Sequence, residues 1–309
     1  MAKGSRLNRG ATGKHDAAHE GRLAVAALLC GALVCGLIWY PYRLLRAAGV
    51  DGIAATTLTY AFALLLGLVF FRRSLPGFAP SWMLAWLALA AGTCNLGYVL
   101  ATLNGEVMRV LLLFYLAPLW TVAFSRLLLG ERLSRIGFLV VALSLAGAAA
   151  MLWQPSVGLP LPQDGADWLG LGAGLSFALF NVLSRRAAAV SIEIKSLAAF
   201  AGVVTLGALL SLSEGSSRPL PAAPSAWLLV GAIGIVLLLV NLFVQYGLQR
   251  VAANRAIVIM LAEVGFAGVS SWWLAGEAMD WREWTGGAMI LAASLFSAKM
   301  ESEEQVAPA

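Results

Sequence analysis

Residues 95–131 read NLGYVLATLNGEVMRVLLLFYLAPLWTVAFSRLLLGE, and residues 241–277 read NLFVQYGLQRVAANRAIVIMLAEVGFAGVSSWWLAGE. A shift of 146 positions lays one on the other without a gap. Asn95-Leu96 falls on Asn241-Leu242, Arg109 on Arg255, Ser125 on Ser271, Leu128 on Leu274, and Gly130-Glu131 on Gly276-Glu277. Shared leucines are common between apolar segments, whereas Asn, Arg and Gly-Glu in one register are not. The chain reads as two copies of one unit, and in a membrane protein such a duplication points to two repeats flanking a substrate path.

Composition places the chain in the membrane. Its 309 residues are 60% hydrophobic and 12% charged, with a mean hydropathy of +0.82. A soluble chain carries about 25% charged residues, so there is too little charge to cover a water-facing surface. The apolar runs suit helices rather than the short alternating strands of a barrel. The net charge of +5 is no nucleic-acid signal, because the basic residues sit between apolar runs. Cys30, Cys35 and Cys94 lie inside such runs without metal spacing and read as packing residues. His15 and His19 are four apart but lack an acidic or cysteine partner set, and they read as part of a solvated tail. No metal or cofactor is expected.

The expected order is a disordered tail at 1–21, a first repeat at 22–153, a linker at 154–166, a second repeat at 167–299 and a short tail at 300–309. Ten spans are read at 23–45, 52–71, 81–102, 107–128, 134–153, 167–186, 193–212, 226–248, 254–275 and 283–299, near the ~20 residues that cross a bilayer as a helix. The run after the tail lacks a cleavage pattern and reads as an uncleaved span. With the amino terminus inside, Arg22, Arg72, Arg73, Arg126, Arg132, Arg135, Arg185, Arg186, Lys195, Arg250, Arg255 and Lys299 are inner, and Arg46, Arg218 and Arg282 outer. That asymmetry puts both termini in the cytoplasm. Five spans per half is odd, so the second half is inserted upside down relative to the first. The fold class expected is an all-α integral membrane protein of two inverted five-helix repeats around a cavity.

Such repeats hold their substrate near mid-membrane between the halves, which directs attention to polar, aromatic and helix-breaking residues within spans. These are Trp39, Tyr42, Asn95, Tyr98, Tyr115, Phe177, Phe180, Asn181, Asn241, Gln245, Tyr246, Met260 and Glu263, with Pro41 and Pro118 as expected kinks. Each has a plainer reading. Trp82, Trp86, Trp153, Trp168, Trp227, Trp272, Trp273, Trp281 and Trp284 lie near span ends, where tryptophan forms an interfacial belt. Asn95 and Asn241 serve equally well as interhelical hydrogen-bond glue. Gly170 and Gly174 form a GxxxG packing pattern. Gly130-Glu131 and Gly276-Glu277 sit at span ends, where capping explains them. Glu263 stands apart, since an acidic group at mid-span costs about 2.5–3.5 kcal/mol. It either faces a cavity, binding a substrate amino group or a proton, or pairs structurally with a cation.

Two copies ending in Gly-Glu, with Tyr115-Leu116-Ala117-Pro118 upstream, resemble the EamA module of the drug/metabolite transporter superfamily. Leu261-Ala262-Glu263-Val264 is similar to that family's Leu-Glu-Pro-Val pattern, but Val264 replaces the proline and removes the reason for a second kink. The resemblance covers about residues 22–299. It implies ten helices in two inverted halves around a cavity, with the last helix of each half outside. Among the branches, length and aromatic content look most like the bacterial aromatic amino-acid exporters of the YddG type. The implied activity is secondary export of aromatic and other neutral amino acids across the inner membrane, with multidrug export as the alternative. Partners are a small-molecule substrate and the lipid bilayer. Both histidines lie in the tail and no Asp lies in the interior of a span, so no catalytic set is expected. No GxxxxGK[ST] loop appears for direct ATP drive. Only Arg43 and Arg109 could meet a phosphate, both near outer ends, which favours a zwitterionic or neutral substrate.

Overall fold

The computed structural model describes residues 4–75, 80–105, 107–152, 162–213, 223–275 and 281–306, all helical or connecting, with no strand among them. Twelve α-helices follow one another: α1 Gly4–Ala47, α2 Gly52–Phe70, α3 Trp82–Asn104, α4 Val107–Phe114, α5 Ala117–Phe124, α6 Arg135–Leu152, α7 Gly165–Arg186, α8 Ile192–Ser213, α9 Pro224–Arg250, α10 Ala253–Met260, α11 Ala262–Ser270 and α12 Trp281–Val306. Single π-helical turns, Ser125–Leu129 and Ser271–Ala275, follow α5 and α11. Seven helical stretches are long and apolar enough to cross a membrane, and three shorter apolar ones accompany them. Gly276-Glu277, Trp153, Arg218 and most of the linker lie outside the described residues.

Helix starts have local causes. The Asp51 carboxylate accepts from the N–H groups of Ile53 at 2.9 Å and Ala54 at 3.1 Å, satisfying two of the free donors that begin α2. Asp164 does the same for α7 through Asp167 N–H at 2.9 Å. Gly130 adopts the left-handed conformation, φ 71°, and ends the first π turn. The tail differs from expectation: α1 begins at Gly4. No proline lies in 4–21, so a helix nucleated in the apolar stretch propagates backwards at little cost. α1 also passes through Pro41 unbroken.

The sharpest regularity is the duplication. α4 and α10 occupy 107–114 and 253–260, the helix breaks at 115–116 and again at 261, and the π turns occupy 125–129 and 271–275. The helices α4 and α10, the starts of the breaks and the π turns are each offset by the 146 positions seen in the sequence. Packing repeats as well. α3 lies against α7 and α8 as α9 lies against α1 and α2, while α2 meets α8 and α6 meets α12 across the axis. This is the pattern of a two-fold relation between halves.

The first break has a covalent reason. Pro118 has no N–H for the Phe114 carbonyl, and α4 ends there. The second break occurs without proline, contrary to the reading of Val264. Val264 N–H donates to Leu261 O at 3.0 Å, a tighter i to i+3 bond, and leaves the Met260 carbonyl out of the ladder. Glycines hold both breaks against their neighbours. A Cβ on Gly36 would sit 2.8 Å from Glu263 O, and one on Gly174 would overlap Phe114 O. Gly170 faces Val110 in the same way, so the GxxxG pair packs α7 onto α4.

The outside is apolar. Leu65, Val69, Phe70, Leu127, Phe138, Leu139, Leu212 and Leu228 are exposed, as are Trp82, Trp168, Trp227 and Trp281 at helix starts. Water would not tolerate this coat, whereas hydrocarbon and its interface favour it.

Candidate functional site

The two breaks meet at the centre. Tyr115, Leu261 and Val264 share one cluster with Cys94, Phe114, Ala148, Ala173 and Ile290, and Tyr98 and Phe177 pack on its margin. Phe114 is the hub of an aromatic wall. Its ring lies 5.2 Å from Tyr98, 5.3 Å from Tyr115 and 5.5 Å from Phe177, centroid to centroid. The first two contacts are edge-on, the geometry that aligns ring edges with ring faces. Phe114 was not singled out in the sequence, where it is one more apolar residue in LLLF; the signal that could have found it is its place four residues before Pro118.

Glu263 stands at this wall. The Tyr115 hydroxyl lies against its carboxylate, and Cys35, Cys94 and Tyr98 are near enough to sense its charge. Its neighbours Leu261, Ala262 and Val264 are buried, but Glu263 itself is only partly so. No cation pairs with it among the described residues. The Arg109 side chain lies outside the description. Tyr98 and Tyr115 of the expected set thus lie near Glu263, and Phe177 packs on the margin of the same cluster. Met260 joins from the next cluster, which shares Phe177.

The other candidates are placed elsewhere or already occupied. Trp39 Nε1 donates to Ser270 Oγ at 2.9 Å, and Ser270 Oγ donates in turn to a carbonyl of its own helix or of Gly36, tying α1 to α11. Tyr42 bonds Thr59 Oγ1 at 2.7 Å. The Thr59 proton already serves backbone carbonyls of α2, so Tyr42 is the donor. Asn95 is satisfied on both sides: Oδ1 accepts from the Tyr60 hydroxyl and Nδ2 donates to Ala91 O, each at 2.8 Å. It acts as glue here. Phe180 packs between α3 and α8 residues, and the Arg250 guanidinium covers the Tyr246 ring at 3.8 Å. Asn181 and Gln245 are fully buried, and their amides, like Asn241 Oδ1 and Ser184 Oγ, have no partner among the described residues. Buried amides without a protein partner call for water or ligand. Asn241, Gln245 and Gln249 follow at four-residue intervals and so share one face of α9.

That face ends at a polar lock joining the halves. Arg185 Nε donates to Glu131 Oε1 at 2.7 Å, and the Ala253 N–H that opens α10 donates to Glu131 Oε2 at 3.1 Å. Arg185 also reaches Gln249 O at 3.5 Å, Gln249 Nε2 donates to Val190 O at 3.1 Å, and Ser125 Oγ donates to Asn254 Oδ1 at 2.9 Å. Glu131 therefore neutralises an arginine of one helix and caps the start of another 122 residues away. The capping read for it from sequence is real, but the helix it caps lies in the other half. Lys195, fully buried, donates to Ser184 O at 2.9 Å near the end of α7.

Comparisons with known proteins agree with this architecture. Residues 165–298 match the EamA-like transporter family. The chain is 28% identical over 282 residues to an uncharacterized transporter of Archaeoglobus fulgidus, covering 89% of this chain and 96% of that one. It is 26% identical over 272 residues to protein RarD of Streptomyces exfoliatus, 84% of this chain and 82% of that one. Over 168 residues it is 28% identical to chloramphenicol-sensitive protein RarD of Pseudomonas aeruginosa, 52% of each. A crystal structure sharing 20% identity superposes with a TM-score of 0.73, covering 91% of this chain and 98% of that one, and so has the same fold.

Proposed function

We propose that this chain, whose residues 165–298 match the EamA-like transporter family, is a membrane transporter that exports amino acids, aromatic and other neutral ones, by alternating access. The observation that carries the reading is Glu263: a mid-span carboxylate, partly accessible, without a cationic partner among the described residues, at the foot of an aromatic wall. A substrate ammonium would supply the missing counter-charge. A planar side chain would stack on Tyr98, Phe114 and Phe177, at about 0.5–1.5 kcal/mol per ring pair. The amides of Asn181 and Gln245 and the Oδ1 of Asn241, without partners among the described residues, would exchange hydrogen bonds with water or substrate on the way through. The two-fold packing and the odd number of spans per half support halves inserted in opposite senses, as in the aromatic amino-acid exporters. The positive-inside asymmetry supports a cytoplasmic location for both termini.

The lock at Glu131 fits the closed cytoplasmic end of such a cycle. Opening that end must separate Glu131 from Arg185 and from the start of α10. Both side chains are partly exposed, so the ion pair contributes about 1 kcal/mol, and the cap adds about as much. Glu131→Ala should therefore move the population toward the open end by roughly thirtyfold, and Glu131→Gln, which can still cap α10, by less. A cysteine placed at buried Ser184, with the native cysteines replaced, reads this out as its rate of labelling by a membrane-impermeant thiol reagent. Equal labelling in all three backgrounds would remove the lock from the cycle.

A multidrug reading is the alternative, and the same wall favours it, because an aromatic surface with one carboxylate also suits planar organic cations. Proteoliposome flux decides. Labelled Phe, Trp and Tyr should move faster than threonine and faster than a drug panel that includes chloramphenicol. Amino-acid flux no greater than in protein-free liposomes would end the first reading, and drug flux in its place would establish the second.

A further inference from the structure

The first π turn builds a second concave surface, away from Glu263. Ser125–Leu129 and left-handed Gly130 fold the chain back, so that Val122, Arg126, Glu131, Arg132 and Leu133 line one pocket of about 380 Å³. Arg126 and Arg132 are exposed, and neither is paired among the described residues. The carboxylate in the lining, Glu131, already has both oxygens engaged, by Arg185 and by Ala253 N–H. The pocket thus offers two uncompensated guanidiniums above an apolar floor of Val122 and Leu133.

We propose that this pocket binds the phosphate headgroup of an anionic phospholipid. Two guanidiniums match a phosphate through paired N–H donors better than two ammonium groups would. The surroundings favour a lipid over free phosphate. Leu127 and, at the start of α6, Phe138 and Leu139 are largely exposed apolar residues, so the pocket lies at a helix end beside a hydrocarbon-facing surface, where headgroups sit. By the positive-inside reading this is the cytoplasmic leaflet, whose anionic lipids attract basic residues. Glu131 lines the pocket and also forms the lock, so a bound headgroup would act on the residue that holds the two halves together.

The test is lipid retention by the purified full chain, offered phosphatidylglycerol and phosphatidylcholine of matched chains and examined by native mass spectrometry. The wild type should retain phosphatidylglycerol preferentially. Arg126→Gln with Arg132→Gln should weaken that preference by about thirtyfold, and each single change by about fivefold. Arg72→Gln with Arg73→Gln, at another exposed helix end, should leave it unchanged. The single variants decide if the double variant does not purify. A preference that survives loss of both pocket arginines, or that falls equally in the Arg72/Arg73 control, overturns the proposal. So does inorganic phosphate that binds the wild type without lipid and displaces the phosphatidylglycerol, since the site would then be one for a free ion.

Discussion

Glu263→Gln is expected to lower amino-acid flux in proteoliposomes by about tenfold or more while leaving the protein at least as stable as before. The two outcomes together separate function from structure. A charge-assisted hydrogen bond to a substrate ammonium contributes about 1.5–3 kcal/mol, and a neutral amide keeps only part of it. If Glu263 were instead half of a structural ion pair, removing its charge would strand the partner and destabilise the fold by about 3–5 kcal/mol. No such partner stands beside it among the described residues. The titratable groups beside it among the described residues are Tyr115, Tyr98, Cys94 and Cys35, none of them a cation. Neutralising an unpaired mid-span carboxylate relieves its desolvation cost, so the thermal midpoint in detergent should hold or rise. The same substitution removes the titrating group of the site, so whatever pH dependence the wild-type flux has should flatten. Wild-type flux and an unaltered pH profile in the variant would return Glu263 to packing.

Gly202→Ala is expected to have the largest effect on folding. α3 and α8 cross with backbones in contact. A Cβ on Gly202 would overlap the Ala88 carbonyl oxygen and lie 2.5 Å from its carbon. From the other side, a Cβ on Gly92 would meet Gly202 O at 2.7 Å. Backbone cannot rotate out of the way as a side chain can, so the helices must separate and open the layer that holds Leu87, Ala91, Phe180 and Val203. Overpacking of this kind costs about 3 kcal/mol or more, and in lipid close packing is the main attraction between helices. Gly202→Ala should give little monodisperse protein by fluorescence-detected size exclusion. Gly172→Ala is the control: nothing lies within 4 Å of its added methyl, and helix propensity should raise stability by about 0.5–1 kcal/mol. Similar yields for the two variants would show that the crossing is looser than described.

Much of the architecture was legible before any coordinates, and the reasons are local or periodic. Low charge and long apolar runs fix the solvent. The 146-residue register anticipated that α4 and α10, and the two π turns, recur at that offset. Pro118 marks a break because its missing N–H is a covalent fact.

The amino-acid order by itself thus pointed to a helical, membrane-borne chain, both of which follow from composition, period and backbone chemistry. It could not settle partnerships. Asn95 and Asn241 occupy equivalent places, yet Tyr60 satisfies the first and nothing among the described residues satisfies the Oδ1 of the second. The break at Leu261 arises without a proline, where Gly36 of α1 presses on the Glu263 carbonyl. Phe114 became the centre of the aromatic wall and Glu131 the bridge between halves only when segments up to 122 residues apart were packed together. Such contacts depend on how side chains from distant helices fill shared space, and only the tertiary structure decides that.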